Sequence, residues 1–300
     1  MHGFSIKAGV HGNLDSKSRP GLHMGKKSKK RTRMQKVILL ASTNANKAKE
    51  IESMLGGLVL MPNALGMHDF SPIEDAPSFE GNAWIKANCM LDNLMTQTSL
   101  ARRLEGQEVL VVGEDSGLCV AALGGAPGIY SARYAAISEN ASLGDSAIEG
   151  DAANRLALRR ALASRGLLAS RAHFACYMTF IWLRMAGGRL TEVMRGAVHG
   201  LCDGLVAVKE RGEGGFGYDR MFYREFGGVT LEDYEIDGEV MESCVVYAAD
   251  GFSRSYDIKS RDDARLAALG KSLASLSMDE KNAISHRAIA LKKLKEALDS

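Results

Sequence analysis

A short, uninterrupted apolar run at residues 37–41 (VILLA) stops at Ser42, Thr43 and Asn44 and passes directly into a helical pattern. A run without polar alternation suits a strand buried on both faces, which only a sheet covered by helices provides. Ser, Thr and Asn are residues of turns and helix caps. From about Asn46 the pattern turns helical, with Ile51, Met54 and Leu55 on one face, and Gly56-Gly57 ends it. A buried strand, a cap and a helix in immediate succession commit the chain to an α/β fold.

The same reading extends along the chain. A second helix is expected from about Ser78 through Trp84, Ile85 and Leu91 to Leu94. Residues 109–112 read as a second buried strand, predicted to end in the turn Gly113-Glu114-Asp115-Ser116-Gly117. A helix is expected over 152–164, a long strand over 173–183, and two shorter strands over 193–198 and 205–208. Leu291, Leu294 and Leu298 give the C-terminus an amphipathic helix. Helices and strands mingle without strict alternation, so the central β-sheet is expected to be mixed and flanked by helices.

Charge is unevenly placed. The net charge is +2, yet Lys26, Lys27, Lys29, Lys30, Arg31, Arg33 and Lys36 crowd one stretch, leaving the remainder mildly acidic. A protein-wide basic surface for nucleic acid is thereby excluded. The five cysteines form no C-x-x-C pair and read as reduced, packed residues. No apolar run approaches the ~20 residues that span a bilayer, and no signal-peptide core is visible. The expected location is cytoplasmic. Residues 1–33 lack any period and are read as a disordered basic extension, with Met34 an equally good start. The domain proper is taken as 34–300, interrupted by a segment at about 224–275. That segment is acidic, then basic and Ser-rich, and Tyr234, Val240, Val245, Val246 and Tyr247 give it enough apolar content to form strands in part.

Several stretches carry candidate chemistry. A strand that enters a helix through Ser42, Thr43, Asn44, Ala45, Asn46 and Lys47 aims free backbone N–H groups at an anion, and Lys47 adds a point charge. An ordinary N-cap beside a solvated lysine fits the same residues. Glu74 lies in irregular chain before the second helix, while Glu114 and Asp115 sit where the buried strand is expected to end. Carboxylates so placed suit magnesium, which takes one or two protein carboxylates and completes its shell with water and phosphate oxygens; a solvated turn is the plainer alternative. Residues 212–217 match G-x-G-x-x-G, but no helix pattern follows, so the dinucleotide reading fails. Phe216 and Tyr218 flank a glycine and leave rings free to stack on a base or to pack on the core. Ser277 and Glu280 form a capping box ahead of Lys281, His286 and Arg287.

Together the segments STNANK, SFEGNAWIKA, GEDSGLCVAALGGAPGIYSARYA, GGFGYDRMF and DEKNAISHRAIALKKL, in that order over residues 36–298, resemble the inosine triphosphate pyrophosphatase family. The resemblance implies an elongated two-lobed α/β fold with a central mixed β-sheet flanked by helices, an active-site cleft between the lobes, and a homodimer without membrane or nucleic-acid partners. It implies a phosphate-binding turn at residues 42–47, Mg2+ on Glu74 and Asp115, and Asp115 as the proton acceptor. Ser116 matches a substrate contact, and Phe216, Gly217, Tyr218, Asp219, Lys281, His286 and Arg287 match the base site. The implied reaction cleaves dITP, ITP and XTP to monophosphate and pyrophosphate. A pyrophosphatase for modified pyrimidine or methylated nucleotides and a non-catalytic nucleotide-binding protein are the alternatives. Three features depart from the family pattern. Gly81 precedes Asn82, with Glu80 one position earlier; Glu114 stands where Asp is commoner; and the extra stretches at 1–33 and 224–275 are longer than the family requires.

Overall fold

The computed structural model describes residues 36–97, 103–138, 148–230 and 258–300, all within one compact unit. The expected first unit holds: β1 (Lys36–Leu40) runs into α1 (Ala45–Leu55), which Asn44 caps and Gly56 ends. β1 is flanked in parallel by β2 (Leu58–Leu60) and β3 (Glu108–Val120). Beyond β3 the sheet turns antiparallel through β4 (Leu167–Ala186), β5 (Arg189–Ala207) and β6 (Phe222–Tyr223). The order β2-β1-β3-β4-β5-β6 is therefore a mixed sheet, as the irregular succession of elements implied.

Both faces are covered. On one, α2 (Phe79–Thr96) lays Ala87, Met90 and Leu94 against Val37, Leu39, Val109 and Val111. On the other, Ile51 of α1 packs with Ile38, Leu40, Leu110 and Val112, beside Ala290, Leu291 and Leu294 of the C-terminal helix. Alternate residues of β1 and β3 thus face opposite apolar layers, the physical reason for their unbroken hydrophobic runs. Farther along, α3 (Tyr134–Ile137) leads toward α4 (Gly150–Ala163), whose Leu158 and Leu162 pack on Leu118 and Val120 of the same β3. The chain closes with α5 (Met278–Ile284) and α6 (His286–Asp299), α5 opening on the expected Ser277–Glu280 capping box.

Two expectations are corrected. Residues 193–198 and 205–207 belong to one strand, β5, paired with β4 from Ala186↔Arg189 to Ala169↔Ala207, and Val208 lies just past its end. Gly200 and Gly204 lie inside it. Gly200 is where α6 comes so close that an added Cβ would overlap the His286 carbonyl oxygen. Likewise β3 does not end at Gly113; it continues through Glu114, Asp115, Ser116 and Gly117, pairing with β4 up to Val120↔Ala172.

Within the described part of residues 224–275, β7 (Glu225–Phe226) and β8 (Val229–Thr230) form a small hairpin. β9 (Ile258–Lys259) joins the main sheet against β4, and buried Ile258 and Leu269 pack with Tyr223. Tyr234, Val240, Val245, Val246 and Tyr247, like residues 1–33, lie outside the described residues. Among the described residues no helix is long and apolar enough to cross a membrane.

Candidate active site

The site begins at the β1–α1 junction. Asn44 Oδ1 accepts from the backbone N–H groups of Asn46 (2.9 Å) and Lys47 (3.4 Å), and Ser42 Oγ accepts from Asn44 N (3.2 Å). Ser42, Thr43, Asn44 and Lys47 line a cavity of about 340 Å³. Ala45 and Asn46 start the helix and are not among the lining residues. Because α1 points its N-terminus at this space, its partial positive charge adds to that of Lys47.

The acids stand inside a strand and not at its mouth, which changes their surroundings. Glu114 is fully enclosed and ion-paired with Lys47 Nζ at 2.7 Å and Arg287 Nη2 at 3.2 Å. Burial would raise its pKa, but Lys47 and Arg287 outweigh that and hold it well below the usual carboxylate range. Asp115, one position on, faces the opposite side and lines the cavity. Its Oδ1 accepts from Lys86 Nζ at 2.8 Å and its Oδ2 from Asn82 Nδ2 at 3.4 Å. Burial dominates here, and the Asp115 pKa is raised. Two adjacent carboxylates in one strand are thus driven in opposite directions. Glu114 is a fixed counter-charge, whereas Asp115 has the greater proton affinity that base chemistry uses.

Lys86 also reaches Glu74 Oε2 at 2.8 Å, so Glu74 and Asp115 converge on a single cation. Burial would depress the Lys86 pKa, but Asp115 and Glu74 reverse the effect and raise it. The described residues hold no group of three or more His, Cys, Asp or Glu gathered as a metal cluster. The Glu74–Asp115 pair nevertheless fits magnesium: two hard oxygen donors already share one positive charge, beside a cavity open to water and phosphate.

The far end of the cavity is aromatic and cationic. Phe216 carries Lys281 Nζ 5.0 Å and the Arg287 guanidinium 5.5 Å from its ring centroid. Of the two readings of Tyr218, packing on the core fits its burial: the residue is 3% exposed and its hydroxyl donates to Ser131 O at 2.9 Å, while it still contributes to the cavity lining. Asp219 is also buried; its Oδ2 accepts from Phe216 N (2.9 Å) and Lys281 Nζ (2.9 Å), fixing the turn that includes Gly217. His286 stacks on Phe174 with centroids 4.8 Å apart, and burial followed by the Arg287 charge lowers its pKa far enough to keep it neutral. Arg287 donates to Glu50 and to Ser116 Oγ (3.1 Å) besides Glu114.

Glu50 escaped the sequence reading. It is buried, and its two oxygens hold Lys281 (2.7 Å) and Arg287. The signal was present in the spacing, since Glu50 lies one turn after Lys47 on α1, next to buried Ile51. Arg133 also lines the cavity and donates to Glu74 O at 3.4 Å; it lies within the matched segment GEDSGLCVAALGGAPGIYSARYA but was assigned no role of its own.

Comparison with known proteins places the chain in a family. A model of the Ham1 family matches residues 38–238. A Sulfurimonas denitrificans protein named dITP/XTP pyrophosphatase is 36% identical over 185 residues, spanning 62% of this chain and 80% of its own. One of the same name from Bacillus anthracis is 30% identical over 267 residues, covering 88% of this chain and 96% of its own. Among solved structures, a HAM1 protein from Coxiella burnetii superposes with a TM-score of 0.51 at 26% identity, covering 88% of this chain and 98% of its own. The Staphylococcus aureus Ham1 protein gives a TM-score of 0.50 at 27% identity, with the same coverage of both chains. With two thirds of its length matched by the family model and the motif residues gathered around one cavity, this chain belongs to the Ham1 family.

Proposed function

We propose that the chain hydrolyses deaminated purine nucleoside triphosphates (dITP, ITP, XTP) to the monophosphate and pyrophosphate, as the names of its relatives suggest. One observation carries the reading: Glu74 and Asp115 converge on one cation beside the α1 N-terminus, in a cavity whose far end offers Phe216 beneath two cations. The near end suits a polyphosphate and the far end a planar base.

Asp115 is the proposed proton acceptor, orienting a water and taking its proton. Magnesium, held by Glu74 and Asp115, would supply charge neutralisation on the phosphates. Lys47 and the residue 42–44 turn bind the polyphosphate, and Ser116, next to Asp115, contacts substrate. Phe216 stacks the base, while Lys281, His286 and Arg287 present donors to its edge, with Gly217, Tyr218 and Asp219 holding the turn. Burial sharpens the choice of base, because an unmatched donor in a closed site costs about 1–3 kcal/mol. The proposal includes a homodimer in the cytoplasm, and a domain over 34–300 preceded by a basic extension and interrupted at about 224–275.

The test is pyrophosphate release from dITP, XTP, GTP, ATP and dUTP, with and without magnesium. Metal-dependent release favouring dITP and XTP is expected, with Asp115→Asn reducing turnover by at least ~10²–10⁴-fold, as loss of a general base does. Preference for dUTP, or full turnover in Asp115→Asn, would overturn the assignment.

A further inference from the structure

The proposed chemistry leaves one turn of α4 unexplained. Asp151, Asn154 and Arg155 occupy positions i, i+3 and i+4 and therefore share one face. Asp151 Oδ2 accepts from Gly217 N at 2.6 Å, and Arg155 Nη1 donates to Gly217 O at 2.9 Å. The two side chains thereby grip the peptide groups on either side of the glycine that follows Phe216. Asn154 does the same to another cavity wall: its Nδ2 donates to Ala132 O (3.0 Å) and its Oδ1 accepts from Ala135 N (2.9 Å), bracketing Arg133. Arg155 is itself steadied by Glu210, at 3.3 Å from its Nε, and Glu210 also takes Arg159 at 2.8 Å. A helix that only covered the sheet would need Leu158 and Leu162; it would not need three polar side chains aimed at backbone groups of two cavity-lining segments.

We propose that Asp151 and Arg155 are positioning residues that hold the Gly217 peptides, so that the Phe216 ring is presented to the nucleobase. Phe216 is otherwise fixed by Asp219 through its own N–H and by Lys281 and Arg287 over its ring. Without the grip on Gly217 the turn keeps its anchor before Phe216 and loses the one after it. The ring then samples more orientations, and ordering it on binding weakens ground-state and transition-state affinity alike. The effect is confined to the base half. The carboxylates, Lys86 and the α1 N-terminus make no contact with α4 among the hydrogen bonds and ion pairs of the described residues.

This inference rests on the proposed nucleotide hydrolysis, and its test separates the two. Steady-state kinetics on dITP, XTP and ATP are compared for the wild-type enzyme, Asp151→Ala and Asp151→Asn, with inhibition by inosine monophosphate and by pyrophosphate. Loss of a hydrogen bond to a charged acceptor predicts KM raised about tenfold for all three substrates in Asp151→Ala, with kcat within about twofold. Asp151→Asn keeps an acceptor oxygen and should recover most of the affinity. Inhibition by inosine monophosphate should weaken in step with KM, and inhibition by pyrophosphate should not change. An unchanged KM, a fall in kcat alone, or equal weakening of both products would overturn the proposal. Should Asp151→Ala fail to fold, Asp151→Asn with wild-type stability and wild-type inhibition by both products supports it, and weakened pyrophosphate inhibition refutes it. A wild-type enzyme inert toward dITP would instead strike the functional reading.

Discussion

Gly113→Ala is the substitution whose effect follows most directly from the packing of the site. Gly113 lies in β3 immediately before Glu114, and α2 crosses it. A Cβ there would overlap the Ala83 carbonyl oxygen and lie 2.9 Å from both Ala87 N and Thr179 Oγ1. The first two obstacles are helix backbone, which cannot rotate away. The third is a side-chain atom of the paired strand β4, and retreat of β3 is opposed by the layer on its other face, where Val112 packs with Ala290, Leu291 and Leu294. The Ala83 oxygen would lie 2.0 Å from that Cβ, so restoring a contact optimum of about 3.5–4.0 Å requires α2 to move off the sheet by about 1.5–2 Å. Overpacking of this kind costs about 1–3 kcal/mol. The chemical consequence is larger, because α2 carries Lys86 and Asn82, both bonded to Asp115. Misplacement of about 1 Å costs on the order of 10²-fold in rate. Urea denaturation and single-substrate kinetics on dITP measure the two effects independently. The expected result is a folded protein with a lowered midpoint and turnover reduced about 100-fold. Wild-type turnover at a wild-type midpoint would refute the argument that this glycine sets the spacing between α2 and the strand that carries Asp115.

Arg287→Ala strips Glu114 and Glu50 of a shared buried partner, so it should destabilise the fold by about 3–5 kcal/mol as well as impair catalysis; a variant unchanged in thermal midpoint would contradict the network. Acid stability should turn on histidine: His173 is buried on β4, where desolvation, with the Arg171 charge second, lowers its pKa from 6.5 to about 4. Between those values the unfolded chain binds a proton that the folded chain refuses, so stability falls by about 3 kcal/mol as pH drops across that window. Denaturant titrations of wild type and His173→Gln from pH 7 to 4 should show the slope flattened by the substitution, and identical slopes would exclude this histidine. His286 acts with the same sign, and the lowered pKa values of Glu114 and Glu50 add a further loss below the ordinary carboxylate range.

What the sequence made legible, and what it hid, divides by the range of the forces involved. β1 and the capped start of α1 were readable because burial on both faces and an Asn cap are local requirements. The Ser277–Glu280 capping box was readable for the same reason. The true extent of β3 was not. Gly113, Glu114, Asp115, Ser116 and Gly117 have the composition of a turn, and local chemistry says that buried acids should be avoided. They stay in the sheet because the costs are met from elsewhere in the chain: Lys47 from α1 and Arg287 from α6 neutralise Glu114, and Lys86 from α2 faces Asp115. No window of a dozen residues contains these partners; Arg287 and Glu114 are 173 positions apart. Gly113 was misread in the same way. At Gly113 and Gly200 the absent side chain admits a helix backbone, so residues that look like strand breakers are what lets α2 and α6 approach the sheet. Sequence alone left Tyr218 open between stacking and packing, since its hydroxyl partner, Ser131 O, lies 87 positions away. The misreading of β3 fell where local preference is overridden by distant partners, and its Asp115, Ser116 and Gly117 line the cavity. A site that must bury charge to work is assembled from such overrides, so the points at which local rules fail in this chain also trace the outline of its candidate active site.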